Sequence, residues 1–192
     1  MKFKITLKIN RKFGDLLPFN YQYEQSAVIY RILAQADTQY SSWLHENGYL
    51  LHERKRFKLF CYSPFIFEKV KPLPEAGCLN IIGEKVVWYI SFIPEKSTFE
   101  FIQGIFAHQS FTIGNKEHRV AFDVIGVEAM SMPQLTEQMA FQAMSPICVK
   151  LHEENKTQYL SPDNPMFADG ILKGLKARYE SIHGQPFDMN DK

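Results

Sequence analysis

The residues with the clearest chemical potential lie in one basic stretch in the first third of the chain. His45 and His52 accompany a run of cationic side chains that comprises Arg54, Lys55, Arg56 and Lys58. An imidazole can donate or accept a proton near neutral pH, and fixed cations attract the oxygens of a phosphate group. A phosphodiester lying along this stretch would therefore meet both a proton-transfer group and stabilising positive charge.

Spacing alone leaves an ordinary structural role open for each of these residues. A histidine at a helix end often caps backbone carbonyl groups, and a run such as ERKRFK is typical of a solvated edge or turn. Lys58 in a strand commonly points into solvent, and Tyr30, on the apolar stripe of a predicted helix, fits a core position. The pattern by itself therefore establishes no enzyme.

Several common active-site motifs are absent from the sequence. It contains no Gly-rich phosphate loop, no G-x-S-x-G elbow and no H-E-x-x-H helix, which excludes the usual nucleotide, acyl-transfer and zinc-protease classes. The six histidines lack the i, i+4 spacing of a helical metal site, and the three cysteines lack a C-x-x-C pair. We therefore predict no metal and no cofactor, and reduced, mostly buried cysteines.

Positive charge is concentrated in the first part of the chain. The net charge is only +1, but residues 1–71 hold 12 Lys and Arg against 6 Asp and Glu, whereas residues 72–192 hold 10 against 15. Aromatic residues make up 14% of the chain and can supply base-stacking surfaces as well as a core. An anionic partner is expected at the N-terminal part.

The first 25 residues contain no continuous apolar segment, so we predict a cytoplasmic protein without a signal peptide or membrane span.

The elements that must hold these residues follow from hydrophobic periodicity. Residues 2–10 alternate apolar and polar side chains, as a half-buried strand does, and residues 22–36 carry an apolar stripe at helical spacing. Asp37 is predicted to cap a second, short helix that ends at Gly48. His45 is thereby predicted to lie at a helix end.

The next segments read as two strands, a helix and a further strand. Their predicted ranges are 57–67 (broken at Pro64), 85–93, a helix that begins at Ser97 or Thr98, and 118–128. Together with the first strand and helix they give the order βαββαβ, which is the ferredoxin-like arrangement. The predicted fold class is therefore α+β, with a ferredoxin-like domain over residues 1–129.

A second, incomplete ferredoxin-like domain is predicted over residues 138–192. After a linker, the pattern predicts a strand over 141–151, an extended piece over 157–160 and a helix from Pro165 to about His183. One strand and one helix cannot close a sheet. We therefore expect this part to dock on the first domain, to pair with another chain or to be poorly ordered.

Four stretches of the chain resemble the repeat-RNA-processing CRISPR endoribonucleases of the RAMP superfamily. They are LPFNYQYEQSAVIYRIL (residues 17–33), WLHENGY around His45, RFKLFCYSPF from Arg56 and SPICVKLHEENKTQYLSP (residues 145–162). The resemblance implies two tandem ferredoxin-like domains and metal-independent cleavage of precursor CRISPR RNA within its repeats, which releases guide RNAs. It implies attack by the substrate's own 2′-hydroxyl, leaving a 2′,3′-cyclic phosphate and a 5′-hydroxyl.

The same resemblance implies which residues form the active site. The family's Tyr on the first helix, His at the end of the next helical segment and Lys on the next strand correspond to Tyr30, His45 and Lys58. Which of Tyr30 and His45 acts as general base stays open. Further RNA contacts are expected from Arg54, Lys55 and Arg56, and secondarily from Lys150, His152 and Lys156.

The chain departs from the family pattern near its C-terminus. Family members carry there a Gly-rich loop that ends in a run like G-F-G, and none of the ten glycines here stands in such a cluster. We therefore expect a C-terminally truncated or divergent member.

The alternative functions are a catalytically inactive CRISPR-repeat RNA-binding module and, from composition alone, an unrelated ferredoxin-like domain that binds a small ligand or a protein. Whether the protein joins a CRISPR effector complex or forms a homodimer stays open.

Overall fold

A computed structural model describes residues 1–51, 55–153 and 156–188. The chain divides into two compact units. Unit 1 comprises Met1–Glu46 and Phe60–Met139, and unit 2 comprises Asn47–Leu59 and Ala140–Lys192. Each unit is therefore built from two separate stretches of chain.

The described residues form a mixture of strands and helices, which confirms the predicted α+β class. The strands are β1 (Lys2–Asn10), β2 (Leu16–Pro18), β3 (Tyr49–Leu51), β4 (Lys55–Phe57), β5 (Phe60–Tyr62), β6 (Ile66–Phe67), β7 (Val70–Leu73), β8 (Cys78–Ile81), β9 (Lys85–Phe92), β10 (Ser110–Gly114), β11 (Arg119–Met130), β12 (Val149–Glu153) and β13 (Lys156–Leu160). The α-helices are α1 (Gln22–Ala36), α2 (Thr38–Glu46), α3 (Glu95–Ala107) and α4 (Met166–His183), and short 3₁₀ helices cover Arg11–Phe13 and Pro74–Ala76. None of these helices, within the described part of the chain, is long and apolar enough to cross a membrane.

The main sheet of unit 1 is antiparallel and is organised around β1. Its strand order is β10–β11–β1–β9–β5, and β6 also pairs with β9. Successive side chains of a strand point to opposite faces of the sheet. The apolar residues of β1 are accordingly buried, while Lys2, Lys4 and Lys8 lie on the opposite face. A smaller sheet with the order β2–β8–β7 completes unit 1.

The core of unit 1 joins the buried face of the main sheet to helices α1 and α3. The largest fully buried side chains include Trp88, Phe92, Phe101 and Phe122. The rings of Phe92 in β9 and Phe101 in α3 have centroids 4.9 Å apart. Each such aromatic side chain buries about 150–250 Å², so this contact helps to hold α3 on the sheet.

Gly104 allows α3 to pack closely on α1. A Cβ atom added at Gly104 would lie 1.8 Å from the backbone oxygen of Ile32 in α1. No side chain fits at that distance, because the obstacle is backbone rather than the movable end of a side chain. Close packing of the two helices therefore depends on glycine at this position.

We expect Gly104→Ala to lower the free energy of unfolding by about 1–3 kcal/mol, because the two helices must move apart. The matched control is Gly174→Ala in α4, where the added Cβ would meet only the side-chain Nη1 of Arg178, at 3.2 Å. Alanine is favoured over glycine in a helix by about 1 kcal/mol, so the control should be neutral or stabilising. Urea unfolding of both variants measures the difference, and an unchanged free energy for Gly104→Ala would contradict the close packing.

Most predicted elements of unit 1 are confirmed, with differences at their ends. The strand over 2–10 and the helix over 22–36 have the predicted bounds. Helix α3 begins at Glu95 rather than at Ser97 or Thr98, because Pro94 has the extended conformation that precedes a helix. Ser97 is instead buried within the helix and shares a hydrogen bond with the hydroxyl of Tyr40.

Other parts of unit 1 also differ from the predictions, and the strands of the smaller sheet, β2, β7 and β8, were not predicted. The predicted strand over 57–67 is interrupted first after Phe57 and not only at Pro64. Strand β10 was not predicted, because its five residues follow α3 directly and their apolar positions are too few to indicate a separate strand.

Unit 2 contains two hairpins and helix α4. Strand β3 pairs with β4, β12 pairs with β13, and α4 packs against β3 and β12. The predicted helix from Pro165 is confirmed. The predicted strand over 141–151 is wrong at its start, since β12 begins at Val149. Pro146 has no amide hydrogen and restricts the residue before it, which disfavours strand pairing there.

The prediction of mostly buried cysteines is wrong. Cys78 is buried, but Cys61 and Cys148 are exposed. Cys61 is the middle residue of β5, so its side chain points away from those of its neighbours Phe60 and Tyr62. Composition alone could not show which face of this short strand is covered.

Candidate active site

Helices α1 and α2 bring Tyr30 and His45 together. The Asp37 carboxylate accepts a hydrogen bond from the backbone N–H of Tyr40 at 2.8 Å, which confirms the predicted cap of α2. The Ser41 hydroxyl donates to the backbone oxygen of Tyr30 at 2.8 Å and fastens α2 to α1. The rings of Tyr30 and His45 consequently meet edge to face, with centroids 4.9 Å apart and planes at 85°.

Tyr30 lies in a half-buried aromatic setting within unit 1. Its ring centroid is 5.7 Å from that of Phe60, again edge to face. Burial raises the pKa of the Tyr30 phenol above its ordinary value, and Tyr62 adds to the effect. Tyr30 therefore keeps its proton at neutral pH and can donate a hydrogen bond. His45, by contrast, is exposed in the last turn of α2, where a bound molecule can reach its imidazole.

Lys58 belongs to unit 2, between β4 and β5. A Cβ atom added at Gly48 would lie 3.2 Å from Cδ of Lys58 and 2.6 Å from the backbone oxygen of Phe57, so glycine at 48 leaves room for the lysine stem. Burial lowers the pKa of the Lys58 ammonium below its ordinary value, and the positive charge of Arg56 adds to this. The next residue, Leu59, is buried and has a φ of 55°, in the left-handed region.

The structure therefore brings together two of the three predicted catalytic residues within unit 1. The prediction that Lys58 lies in a strand is wrong, because β4 ends at Phe57 and β5 begins at Phe60. In the left-handed region, a residue with a branched side chain is uncommon outside special sites. Leu59 therefore interrupts the extended chain directly after Lys58. The two-residue alternation of a strand does not extend across Lys58 and Leu59.

Two of the predicted RNA contacts line one cleft of unit 2. Lys55 in β4 and Lys150 in β12 border a cleft of about 660 Å³, together with Lys173 and Arg178 of α4. The Arg178 guanidinium carbon lies 5.2 Å from the ring centroid of Phe57. The cleft thus combines several cations with an aromatic ring, which is the composition of surfaces that bind single-stranded nucleic acid.

Two of the remaining predicted RNA contacts lie on exposed strand positions. Arg56 in β4 and Lys156 in β13 are exposed. Arg54 lies outside the described residues, and so does the side chain of His152, although its backbone is part of β12. Lys173 and Arg178 were not predicted as RNA contacts. Basic residues at positions 173, 176 and 178 of one amphipathic helix were a sequence signal that could have indicated them.

A second basic surface, also not predicted, lies on the open face of the main sheet. It carries Lys2, Lys4, Lys8 and Lys85, and the half-buried Tyr89 lies opposite Lys4. Nζ of Lys2 lies 5.0 Å from the ring centroid of Tyr89, while Lys4 is paired with Glu128 at 3.0 Å. The alternation of lysine with apolar residues in KFKITLKIN was the sequence signal for this face.

Comparison with known families places both parts of the chain in the same group of proteins. Residues 16–122 match the family model described as CRISPR-associated protein Cas6, N-terminal. Residues 130–192 match the one described as CRISPR associated protein Cas6, C-terminal. Together the two matches cover most of the chain.

Individual relatives and solved structures agree with these family matches. A protein named CRISPR-associated endoribonuclease Cas6 1, from Methanocaldococcus jannaschii, is 26% identical over 191 residues, which cover 97% of this chain and 69% of the relative. A structure described as a Cas6-related gene product from Pyrococcus furiosus superposes with a TM-score of 0.78 at 24% identity and covers 98% of this chain and 73% of its own. A structure described as an RAMP protein binding different RNA substrates has a TM-score of 0.75 at 25% identity, with coverages of 97% and 73%.

Proposed function

This chain belongs to the Cas6 family of CRISPR-associated proteins, and we propose that it is a metal-independent endoribonuclease that cleaves precursor CRISPR RNA within its repeats. The observation that carries this proposal is the contact between the Tyr30 and His45 rings, at 4.9 Å. Proton transfer to and from ribose oxygens needs such groups within hydrogen-bond reach of the substrate. His45 is exposed and Tyr30 is half-buried beside it.

The proposed reaction uses the 2′-hydroxyl of the RNA as nucleophile. A base removes the 2′-hydroxyl proton, the 2′-oxygen forms a bond to the adjacent phosphorus, and the bond from phosphorus to the 5′-oxygen breaks. The leaving 5′-oxygen takes up a proton from water, and the base returns the 2′-hydroxyl proton to the solvent. The products are a 2′,3′-cyclic phosphate and a 5′-hydroxyl. We assign the base to His45, because burial keeps the Tyr30 phenol protonated. Tyr30 then acts as a hydrogen-bond donor that orients the reacting groups.

Lys58 is the proposed source of positive charge at the phosphorane. A cation near the non-bridging oxygens stabilises the charge that develops in the transition state. Support comes from chain continuity: only Leu59 separates Lys58 from Phe60, whose ring packs against Tyr30 at 5.7 Å. An ammonium that is half-buried is also less screened by water than an exposed one.

The RNA is proposed to follow the two basic surfaces described above. Lys55 and Lys150 in unit 2, and the lysines on the open sheet face of unit 1, would contact phosphates. Tyr89 and Phe57 offer rings for stacking of unpaired bases. The description of one solved neighbour as a protein that binds different RNA substrates supports this role.

A ferredoxin-like fold is our proposal for the finer architecture. The order β11–β1–β9–β5, taken as fourth, first, third and second strands, supports it together with helices α1 and α3 between strands. The domain boundaries 1–129 and 138–192 remain proposals. The compact units suggest a refinement, since Asn47–Leu59 groups with the later part of the chain.

The proposed function is tested by incubating an end-labelled CRISPR repeat RNA with this chain in EDTA. We expect a single cut per repeat and a product that ends in a 2′,3′-cyclic phosphate. RNA that stays intact under these conditions would contradict the proposed endoribonuclease activity. If the RNA is bound but not cut, the second candidate, a CRISPR-repeat RNA-binding module, stands instead. The solved neighbour described as an RAMP protein that binds different RNA substrates favours this second candidate, because its description names binding and not cleavage.

Substitution of Lys58 by arginine is expected to extend activity to higher pH. The pKa of Lys58 is lowered, mainly by burial, so the lysine loses its proton and its stabilising charge at a lower pH than an ordinary lysine. Cleavage should therefore fall as pH rises through this pKa. Arginine stays protonated up to a pH of about 12 or more, which should move the decline upward. Single-turnover rates across the alkaline range, corrected for spontaneous hydrolysis, measure the shift.

The matched control for this pH experiment is Lys71→Arg, at an exposed position of β7. It should leave the alkaline decline where it is in the unaltered chain. Identical alkaline profiles for Lys58→Arg and the unaltered chain would show that the Lys58 charge does not take part in cleavage.

A further inference from the structure

Unit 1 contains a cavity on a different face of α1 from Tyr30. Its volume is about 420 Å³, within the range of small-molecule sites. Helix α1 contributes Val28, Arg31, Ile32 and Gln35, which recur at helical spacing along one face. Tyr30 does not lie on this stripe. The cavity is therefore separate from the contact between Tyr30 and His45, although both use neighbouring residues of one helix.

Basic residues line the cavity. They are Lys12, Arg31 and His108, and all three are exposed. Nη2 of Arg31 donates a hydrogen bond to the backbone oxygen of Thr112 at 3.0 Å, which holds the guanidinium in place. A guanidinium carries five N–H donors, so one bond to Thr112 leaves it able to bind an anion as well.

An aromatic platform lies beside these cations. Phe13 lines the cavity, and 47% of its surface is exposed. Phenylalanine is usually buried in an apolar core, so this exposure is high. The guanidinium carbon of Arg119 lies 4.9 Å from the Phe13 ring centroid, and Nζ of Lys12 lies 5.6 Å from it. Flat rings and guanidinium planes are the surfaces on which unpaired bases stack.

Hydrogen-bonding groups also line the cavity. The Asp123 carboxylate accepts from the Ser110 hydroxyl at 2.7 Å and from Nδ2 of Asn10 at 3.2 Å. A carboxylate repels phosphate but accepts hydrogen bonds from ribose hydroxyls and from the amino groups of bases. The cavity thus offers separate groups for the phosphate, the base and the polar edges of one nucleotide.

We propose that this cavity binds one unpaired nucleotide of the RNA substrate, with its phosphate at Lys12 and Arg31 and its base on Phe13. This inference rests on the proposed function, because it takes the ligand to be part of the RNA that is cleaved. A free mononucleotide would present the same groups. Exposed cations such as Lys12 and Arg31 bind an isolated ligand weakly, however, so the cavity better suits a ligand that is also held elsewhere on the protein. RNA lying at His45 supplies such a second attachment.

The test is equilibrium binding of repeat RNA that carries a 2′-deoxy nucleotide at the scissile position, so that cleavage does not disturb the measurement. Phe13→Ala should weaken binding about tenfold. A second series uses RNAs that each lack the base of one nucleotide. At one position the missing base should weaken binding to the unaltered chain by a similar factor. The same missing base should not weaken binding to the Phe13→Ala variant any further. That non-additivity is the signature of direct contact. Lys12→Ala should instead reduce the slope of log affinity against log salt by about 0.7, as expected for one lost phosphate contact on a single strand.

Matched controls are Phe106→Ala and Lys71→Ala, both exposed and outside the cavity; neither should change the affinity or the salt slope. The inference is overturned if Phe13→Ala and Lys12→Ala bind like the controls while the unaltered chain binds and cuts RNA. If the unaltered chain neither binds nor cuts repeat RNA, the proposed function fails with it. Tight binding of adenosine monophosphate alone, with no base-specific loss in the RNA series, would assign the cavity to a free nucleotide and would also overturn the inference.

Discussion

Replacing His45 with alanine is expected to slow cleavage of repeat RNA by about 100-fold to 10,000-fold, which is the usual contribution of a positioned acid or base. Binding of RNA should change little, because one exposed imidazole is a small part of the contact surface. The measurement is the single-turnover rate at saturating protein, in EDTA, with end-labelled RNA. A loss of rate without a loss of affinity identifies His45 as a catalytic group and not as an RNA contact.

The structure offers a matched control for the His45 experiment. His118, between β10 and β11, is a histidine outside the candidate site, and its backbone N–H is bonded to Oδ1 of Asn115 at 2.8 Å. His118→Ala should therefore cleave at the rate of the unaltered chain. Equal rates for His45→Ala and His118→Ala would remove His45 from the mechanism. Added imidazole that partly restores the His45→Ala variant would strengthen the assignment.

A single 2′-deoxy nucleotide at the scissile position is expected to block the cut completely. The nucleophile is then missing, and an intramolecular attacking group of this kind corresponds to an effective concentration of roughly 10⁵ M or more. The expected loss is therefore at least about 10⁵-fold, with binding retained. Separation of end-labelled products on a denaturing gel measures it.

The control for the deoxy substrate is the same substitution one nucleotide away. That RNA should be cut at the normal rate and position. Cleavage of the deoxy substrate at the scissile bond would mean that water or another group is the nucleophile. The role of His45 would then have to be re-examined separately, because a base could activate water as well.

Local patterns were sufficient for the elements that carry the candidate site. The alternation in KFKITLKIN predicted β1, and the helical spacing over residues 22–36 predicted α1. The cap at Asp37 was also predictable, because a carboxylate at that position satisfies the first free amide groups of a helix. These features depend on residues close together in the chain, so they are visible without the fold.

Apolar spacing in α3 shows why burial could not be predicted with equal success. Phe99 and Phe106 repeat at helical spacing, yet each is 60% exposed, while Phe101 and Ile105 are buried. The helix carries apolar residues on more than one face, and only packing on α1 and the sheet decides which face is covered. Gly104 has a role only because the backbone of Ile32 lies opposite.

Long sequence motifs were sufficient to identify the family, and with it the expected roles of Tyr30, His45 and Lys58. Local patterns also predicted where β1 and α1 lie. The edge-to-face contact of Tyr30 and His45 follows only from the fold, because it depends on the turn between two helices. The cavity that contains Phe13 and Asp123 likewise joins residues from distant parts of the chain. Contacts of this kind depend on the distances between packed elements, which no local pattern of residues encodes.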